Sequence, residues 1–228
     1  MNKMFYIIGG GVIMLLAVMW FFLSPSDAVV VPLTLSDRAG SDPAIKVIAF
    51  GDSLTAGFGL PAAEAYPAQL QQRLLSAGYD VEVINAGVSG ETTAGNKERA
   101  AFIASQEPDI VLLGTGGNDA LRALSVTTME ENLRSTIVML QDSPTPPVIL
   151  LLQMQAPLNS GLSYKREFDA VYENVADDMG LILVPFITAG LFLDRDNKLP
   201  DGIHYNALGY EKVVDQYVLP ALEEVLEG

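Results

Sequence analysis

The sequence predicts an α/β fold: a three-layer sandwich on a five-stranded parallel sheet, preceded by one N-terminal transmembrane or signal helix. Three observations carry this expectation. From Lys46 onward, short β-rich apolar runs alternate with stretches of helical spacing, the mark of a parallel sheet with helices on both faces. Ahead of the alternation, Met4–Leu23 is a 20-residue run without a charge. Between the two, residues 24–44 are punctuated by Ser, Asp and Pro and lack a strong period, which reads as a linker. The expected organisation is an apolar segment at 1–23, a linker at 24–44 and one domain at 45–228.

The apolar segment is read from its length. Twenty residues at ~1.5 Å rise cross a ~30 Å hydrocarbon core. Trp20, Phe21 and Phe22 stand where an interfacial aromatic belt would lie, and Lys3 on the short leading side keeps the N-terminus cytoplasmic and the domain outside. The run is longer than the ~7–15 residues of a signal peptide's apolar region. Cleavage remains the alternative, because Ser26-Asp27-Ala28 offers small residues at the right spacing. The domain is therefore expected to be membrane-anchored and to face the periplasm or exterior, or to be released to the periplasm.

Within the domain, Lys46–Phe50 is a buried-strand run. Tyr66–Ser76 has helical spacing, with Leu70, Leu74 and Leu75 on one side and Gly78 at its end. Val81–Asn85 is a second strand, Thr93–Ser105 a helix stopped before Pro108, and Ile110–Gly114 a third strand. Thr128 with Glu131 three residues on suggests a capping box for a helix reaching about Gln141. Val148–Gln153 is a fourth strand after a proline-rich turn, Tyr164–Met179 a helix ending at Gly180, and Leu181–Val184 a fifth strand. Asn206 is expected to cap a last helix running to about Leu219, with Pro220 interrupting it. Right-handed crossovers favour the flavodoxin-like strand order 2-1-3-4-5.

Composition narrows the function. Residues 46–228 hold 11 Lys and Arg against 25 Asp and Glu, a surface that repels polyanions, so nucleic acid is not an expected partner. The chain has no Cys and one His, which argues against thiolate or catalytic zinc sites. No phosphate-binding G-x-x-x-x-G-K-[ST] loop occurs. Gly57-Phe58-Gly59-Leu60-Pro61-Ala62 fits a dinucleotide fingerprint formally, but it stands too far from its strand. Ser53 lacks a G-x-S-x-G elbow, since Thr55 replaces the second Gly. No cofactor or metal is expected.

Parallel sheets bind ligands outside the carboxyl ends of their strands. Four unusual segments belong to that edge: Gly51-Asp52-Ser53-Leu54-Thr55-Ala56-Gly57, Asn85 to Thr92, Gly114-Thr115-Gly116-Gly117-Asn118-Asp119, and Asp201-Gly202-Ile203-His204. An acyl-transfer site needs a nucleophile, a base, an orienter for the base and donors for the oxyanion. Ser53 supplies the hydroxyl and His204, the one histidine, the base. Asp201 holds the imidazole, returned to it by a turn through Gly202. Donors can come from the backbone N–H groups of Ser53 and Gly90 and the amide of Asn118. Asp52 and Asp119 are expected to hydrogen-bond loop N–H groups and take no part in catalysis.

In order and spacing these segments resemble the four blocks of the SGNH or GDSL hydrolase family. Within it they are most similar to the periplasmic acyl-CoA thioesterase, protease and lysophospholipase branch, which includes arylesterases. The likeness extends over about residues 46–220. It implies Ser53 as nucleophile, Gly90 and Asn118 as oxyanion donors, and Asp201 with His204 as the Asp–His pair. It also implies a serine esterase acting on lysophospholipids or aryl and acyl esters. One departure is visible: that branch carries Pro after the histidine, and here the residue is Tyr205, which puts the stiffness of the loop in question. Leu158 and Leu162, in the loop after the fourth strand, are candidates for an acyl-chain wall. The expected partners are a small acyl ester or lipid and, through the N-terminal helix, a membrane. The competing readings are a carbohydrate or peptidoglycan O-acetyl esterase, and a tethered binding protein that keeps the fold without the chemistry.

Overall fold

The computed structural model describes residues 45–228. Five strands form one all-parallel sheet in the order β2-β1-β3-β4-β5. The strands are β1 (Ile45–Gly51), β2 (Val81–Gly87), β3 (Ile110–Gly114), β4 (Val148–Gln153) and β5 (Ile182–Pro185), so the expected sheet and its order are observed. The register pairs Gly51 at the end of β1 with Gly87 on one side and Gly114 on the other. Three carboxyl ends therefore finish level with one another. The middle strands are buried on both faces: Val47–Phe50, all of β3, and Ile149–Leu152 are closed to solvent. This is why their sequences read as continuous aliphatic runs and not as alternating ones.

Helices α2 (Tyr66–Ala77), α8 (Ala207–Val213) and α9 (Leu219–Glu227) pack together, while α3 (Thr93–Ala104), α5 (Val126–Gln141) and α6 (Leu162–Met179) form a second row. Right-handed crossovers in this strand order put the two rows on opposite faces of the sheet. Gly78 ends α2 in the left-handed conformation, as its position suggested. Asn206 caps α8 by accepting from the Gly209 N–H at 2.9 Å.

Two expectations are corrected. The cap of α5 is Ser125, whose hydroxyl accepts from the Thr128 N–H; Thr128 itself lies inside the first turn. Pro220 does not break the last helix. A π-helical stretch at Val214–Val218, in which the Leu219 N–H bonds back to the Val214 carbonyl, runs on into α9, and Pro220 is carried in that continuous helical backbone. Short helices α1 (Ser53–Ala56), α4 (Gly117–Leu121) and α7 (Ala189–Phe192) occupy carboxyl-edge segments that the sequence left as loops. The apolar segment and linker expected at 1–44 lie outside the described residues. Among the described residues no helix is long and apolar enough to cross a membrane.

Candidate active site at the carboxyl edge

The chain leaves β1 through Gly51, which can only be glycine: a Cβ there would collide with the Gly114 carbonyl of the neighbouring strand and with the Thr55 hydroxyl. Asp52 follows as the cap of α1 and accepts from the Leu54 N–H at 3.0 Å. Ser53 is thereby the first residue of α1. Its hydroxyl lies 2.8 Å from Nε2 of His204, 151 residues further on. Nδ1 of that ring lies 2.7 Å from Oδ2 of Asp201.

The loop that delivers His204 is tied at several points. Oδ1 of Asp201 accepts from the N–H groups of Ile203 at 2.8 Å and His204 at 3.0 Å. Gly202 carries the turn between them with φ of 69°. Lys198 and Tyr205 form an antiparallel bridge across the loop base, and the Lys198 ammonium donates to the Gly202 carbonyl while standing 3.7 Å over the Phe192 ring. Tyr205, in the position of the expected proline, is fully buried. Its ring packs against Phe186, Phe192 and Tyr210, and its hydroxyl donates to the Phe186 carbonyl at 3.2 Å. Phe58 lies over the His204 ring with centroids 4.6 Å apart.

Electrostatics separates the two aspartates. Burial alone would raise the Asp201 carboxyl, but the hydrogen bonds from His204 and Ile203 and the imidazole charge outweigh it and hold the pKa below the ordinary value. Asp52 goes the other way. Almost wholly buried, it is pushed up to about 7 by desolvation, with Asp119 and Glu91 adding to the rise. Asp52 and Asp119 both make the loop hydrogen bonds expected of them: Asp119 receives the Thr93 N–H at 2.9 Å and its hydroxyl at 2.7 Å.

Asn118, in α4, directs its amide at two acceptors: the Glu91 carbonyl at 2.9 Å and Oδ2 of Asp52 at 3.5 Å. The first fixes the side chain against the loop that contains Gly90; the second is at the outer limit of a hydrogen bond. Gly90 is exposed, adopts φ of 83°, and offers its carbonyl to Arg122 at 2.7 Å. Sequence reasoning missed what anchors that loop. The Glu91 carboxylate receives Arg99 in a bidentate pair, and the same guanidinium reaches the carbonyls of Ala86 at the end of β2 and Gly51 at the end of β1. The only available signal was the opposite charges eight residues apart in the loop and in the helix after it.

A cavity of about 300 Å³ opens beside Ser53 and Asn118. Its wall is apolar, with Leu121, Met154, Ile187, Phe192, Leu193 and Ile203 prominent. Leu158 is among the residues that line it. Leu162 is not among them: it is the first residue of α6, directly after Gly161, and is 84% exposed.

A serine hydroxyl, an imidazole and a carboxylate in hydrogen-bonded series at the carboxyl edge of a doubly wound sheet define the serine hydrolases as a class. The particular family follows from similarity. Residues 49–212 match the GDSL-like Lipase/Acylhydrolase family. Esterase TesA of Pseudomonas aeruginosa is 36% identical over 182 residues, covering 79% of this chain and 89% of that protein. Thioesterase 1/protease 1/lysophospholipase L1 of Escherichia coli K12 is 33% identical over 173 residues, covering 75% and 80%. The crystal structure of the psychrotrophic esterase EstA from Pseudoalteromonas, inhibited by monoethylphosphonate, superposes with a TM-score of 0.75 at 26% identity, over 81% of this chain and 100% of that one. The chain belongs to the GDSL-like lipase/acylhydrolase family and is a serine hydrolase of esters.

Proposed function

We propose that Ser53 is the nucleophile, His204 the general base and Asp201 its orienter, and that the substrate is a carboxylic or thioester with an apolar acyl chain. The hydrogen-bonded series from Ser53 to His204 to Asp201 carries this reading. Neutral His204 takes the Ser53 proton as Oγ attacks the acyl carbonyl, and the negative charge moves to the carbonyl oxygen. The Ser53 and Gly90 N–H groups and the Asn118 amide receive that charge, the amide by turning its loosely held N–H from Asp52 toward the oxyanion. His204 then protonates the leaving alkoxide or thiolate. In the second half, water loses a proton to His204 and attacks the acyl-serine, and the returned proton restores Ser53. Asp201 stays ionised throughout, and its depressed pKa favours that.

The cavity supports the substrate class. An acetyl group would leave most of about 300 Å³ of apolar space unfilled, which disfavours an O-acetyl esterase; a lysophospholipid or a longer acyl ester fills it. The acidic domain disfavours polyphosphate leaving groups such as coenzyme A. In this reading residues 1–23 anchor or export the protein, 24–44 link, and 45–228 form the catalytic domain in the periplasm or exterior.

The test pairs a fluorophosphonate probe with p-nitrophenyl esters of increasing chain length. Wild type should be labelled and Ser53→Ala should not, with turnover falling by at least roughly 10³-fold. Rates should rise from acetate to medium chains. Labelling that survives Ser53→Ala refutes the nucleophile; a sharp preference for acetate refutes the acyl cavity.

A further inference from the structure

Several large apolar side chains that line the cavity are also open to solvent. Leu121, Leu158, Leu193 and Ile203 line it, yet are 49%, 70%, 57% and 38% exposed. Leu124 and Leu162, at 41% and 84%, are exposed beside it without lining it. Leu162 stands two residues before Tyr164, whose hydroxyl donates to the Leu124 carbonyl at 3.0 Å. That bond sets the start of α6 against the segment following α4. Leu121 and Leu124 thus belong to one stretch of chain and Leu158 and Leu162 to another, and the Tyr164 bond joins the two stretches. Single exposed leucines need no explanation, but a group continuous with a ligand cavity marks an interaction surface.

We propose that this apolar rim docks the domain on a lipid–water interface of net-neutral headgroups, so that the ester passes from the lipid layer into the cavity. The proposal rests on the acyl-ester reading of the site and adds the surface from which the substrate is taken. Three features select this occupant. The rim includes side chains that line the cavity, so a second copy seated on it would obstruct the substrate's way in. The domain's excess of 25 acidic over 11 basic residues opposes anionic headgroups. The chain outside the structure also permits the approach. It enters the domain at Ile45, the first residue of β1 and hence at the sheet edge opposite the site. Residues 24–44 can span about 70 Å when extended, against about 23 Å along the seven residues of β1. A domain tethered by Met4–Leu23 could therefore still turn its carboxyl edge to the same surface.

The experiment compares two rates for the full chain: hydrolysis of lysophosphatidylcholine carried in phosphatidylcholine vesicles, and hydrolysis of p-nitrophenyl butyrate dissolved in water. For the double variant Leu124→Glu, Leu162→Glu the first rate should fall roughly tenfold or more, as two leucines lose their burial in lipid, while the second stays within about twofold. Phe102→Glu, which alters a 63% exposed side chain on α3, should change neither. Equal rate ratios in wild type and double variant overturn docking, as does an equal fall in both rates. A vesicle rate that climbs with the fraction of anionic lipid overturns the choice of surface. Sedimentation showing a wild-type dimer that the double variant dissociates reassigns the rim to self-association. Absence of p-nitrophenyl butyrate turnover in wild type would instead strike the ester reading itself, so the two failures are distinguishable.

Discussion

Asp52 sits under the catalytic edge in a state that should make the whole domain pH-sensitive. The carboxyl is 1% exposed, accepts from the Leu54 N–H at 3.0 Å, and lies near Asp119 and Glu91. Burial raises its pKa from 3.8 to about 7. A raised carboxyl holds its proton more firmly in the folded chain than in the unfolded one. Its contribution to stability is therefore complete below pH 3.8 and is lost as the pH rises through about 7. The full shift corresponds to about 4 kcal/mol, of which about 3 kcal/mol falls between pH 5 and pH 8. That is a large share of the ~5–15 kcal/mol that holds a domain folded. Asp52→Asn keeps an acceptor for the Leu54 N–H and cannot ionise. Urea unfolding at both pH values, followed by circular dichroism, should show the variant gaining about 3 kcal/mol on wild type between pH 5 and pH 8. Taking the difference between the two proteins cancels the titration of groups remote from Asp52. Parallel pH profiles would show that Asp52 ionises in the fold without cost, and the desolvation argument would fail.

Two other substitutions probe the loop that carries His204. Asp201→Asn removes the charge opposite the imidazolium and the acceptor that selects its tautomer, so kcat should drop by roughly 10³–10⁴-fold with little change in KM; a loss below tenfold would mean that His204 needs no orienter. Tyr205→Phe deletes only the hydroxyl bonded to Phe186, and should lower Tm by a few degrees, about 1–2 kcal/mol, at nearly unchanged kcat. Tyr205→Ala empties a buried aromatic site and should cost about 3–5 kcal/mol and lower kcat as well, read by calorimetry and turnover. Equal Tm values for the two Tyr205 variants would show that the aromatic cluster does not hold the loop.

The strand ends could be read from sequence because a parallel sheet leaves little freedom. Once β1, β2 and β3 are recognised, their carboxyl ends must share one edge, so Ser53, Asn118 and the Gly90 loop fall together. Asp201 and His204 are three residues apart, and a turn through Gly202 brings the carboxylate back to the ring. Features set by distant contacts were not legible. Arg99 bridges Gly51, Ala86 and Glu91 only after β1 and β2 have paired. Phe58 meets His204 across 146 positions of chain. Leu162 follows the same strand as Leu158, but it opens α6 and is exposed to solvent, a placement set by where the helix begins. Pro220 followed a rule that holds for α-helices and fails where a π-turn precedes the proline.

Tyr205 shows how a residue that breaks a family's habit can be accommodated. The bridge at the base of the loop is built by the Leu199 N–H donating to the His204 carbonyl and the Asn206 N–H donating to the Asn197 carbonyl. Neither bond is donated by residue 205, so a proline there would sacrifice no hydrogen bond of the bridge, and its fixed φ would stiffen the loop. A tyrosine gives up that covalent restraint. In its place it adds a ring held edge-on by Phe186, Phe192 and Tyr210 and a hydroxyl bonded to the first residue after β5. The restraint on His204 thus passes from the backbone torsion of one residue to the packing of several. Stiffness obtained in this way depends on the core staying intact. The His204 loop of this chain should therefore loosen together with the core around Tyr205 as the temperature rises, where a proline-held loop would keep its local restraint.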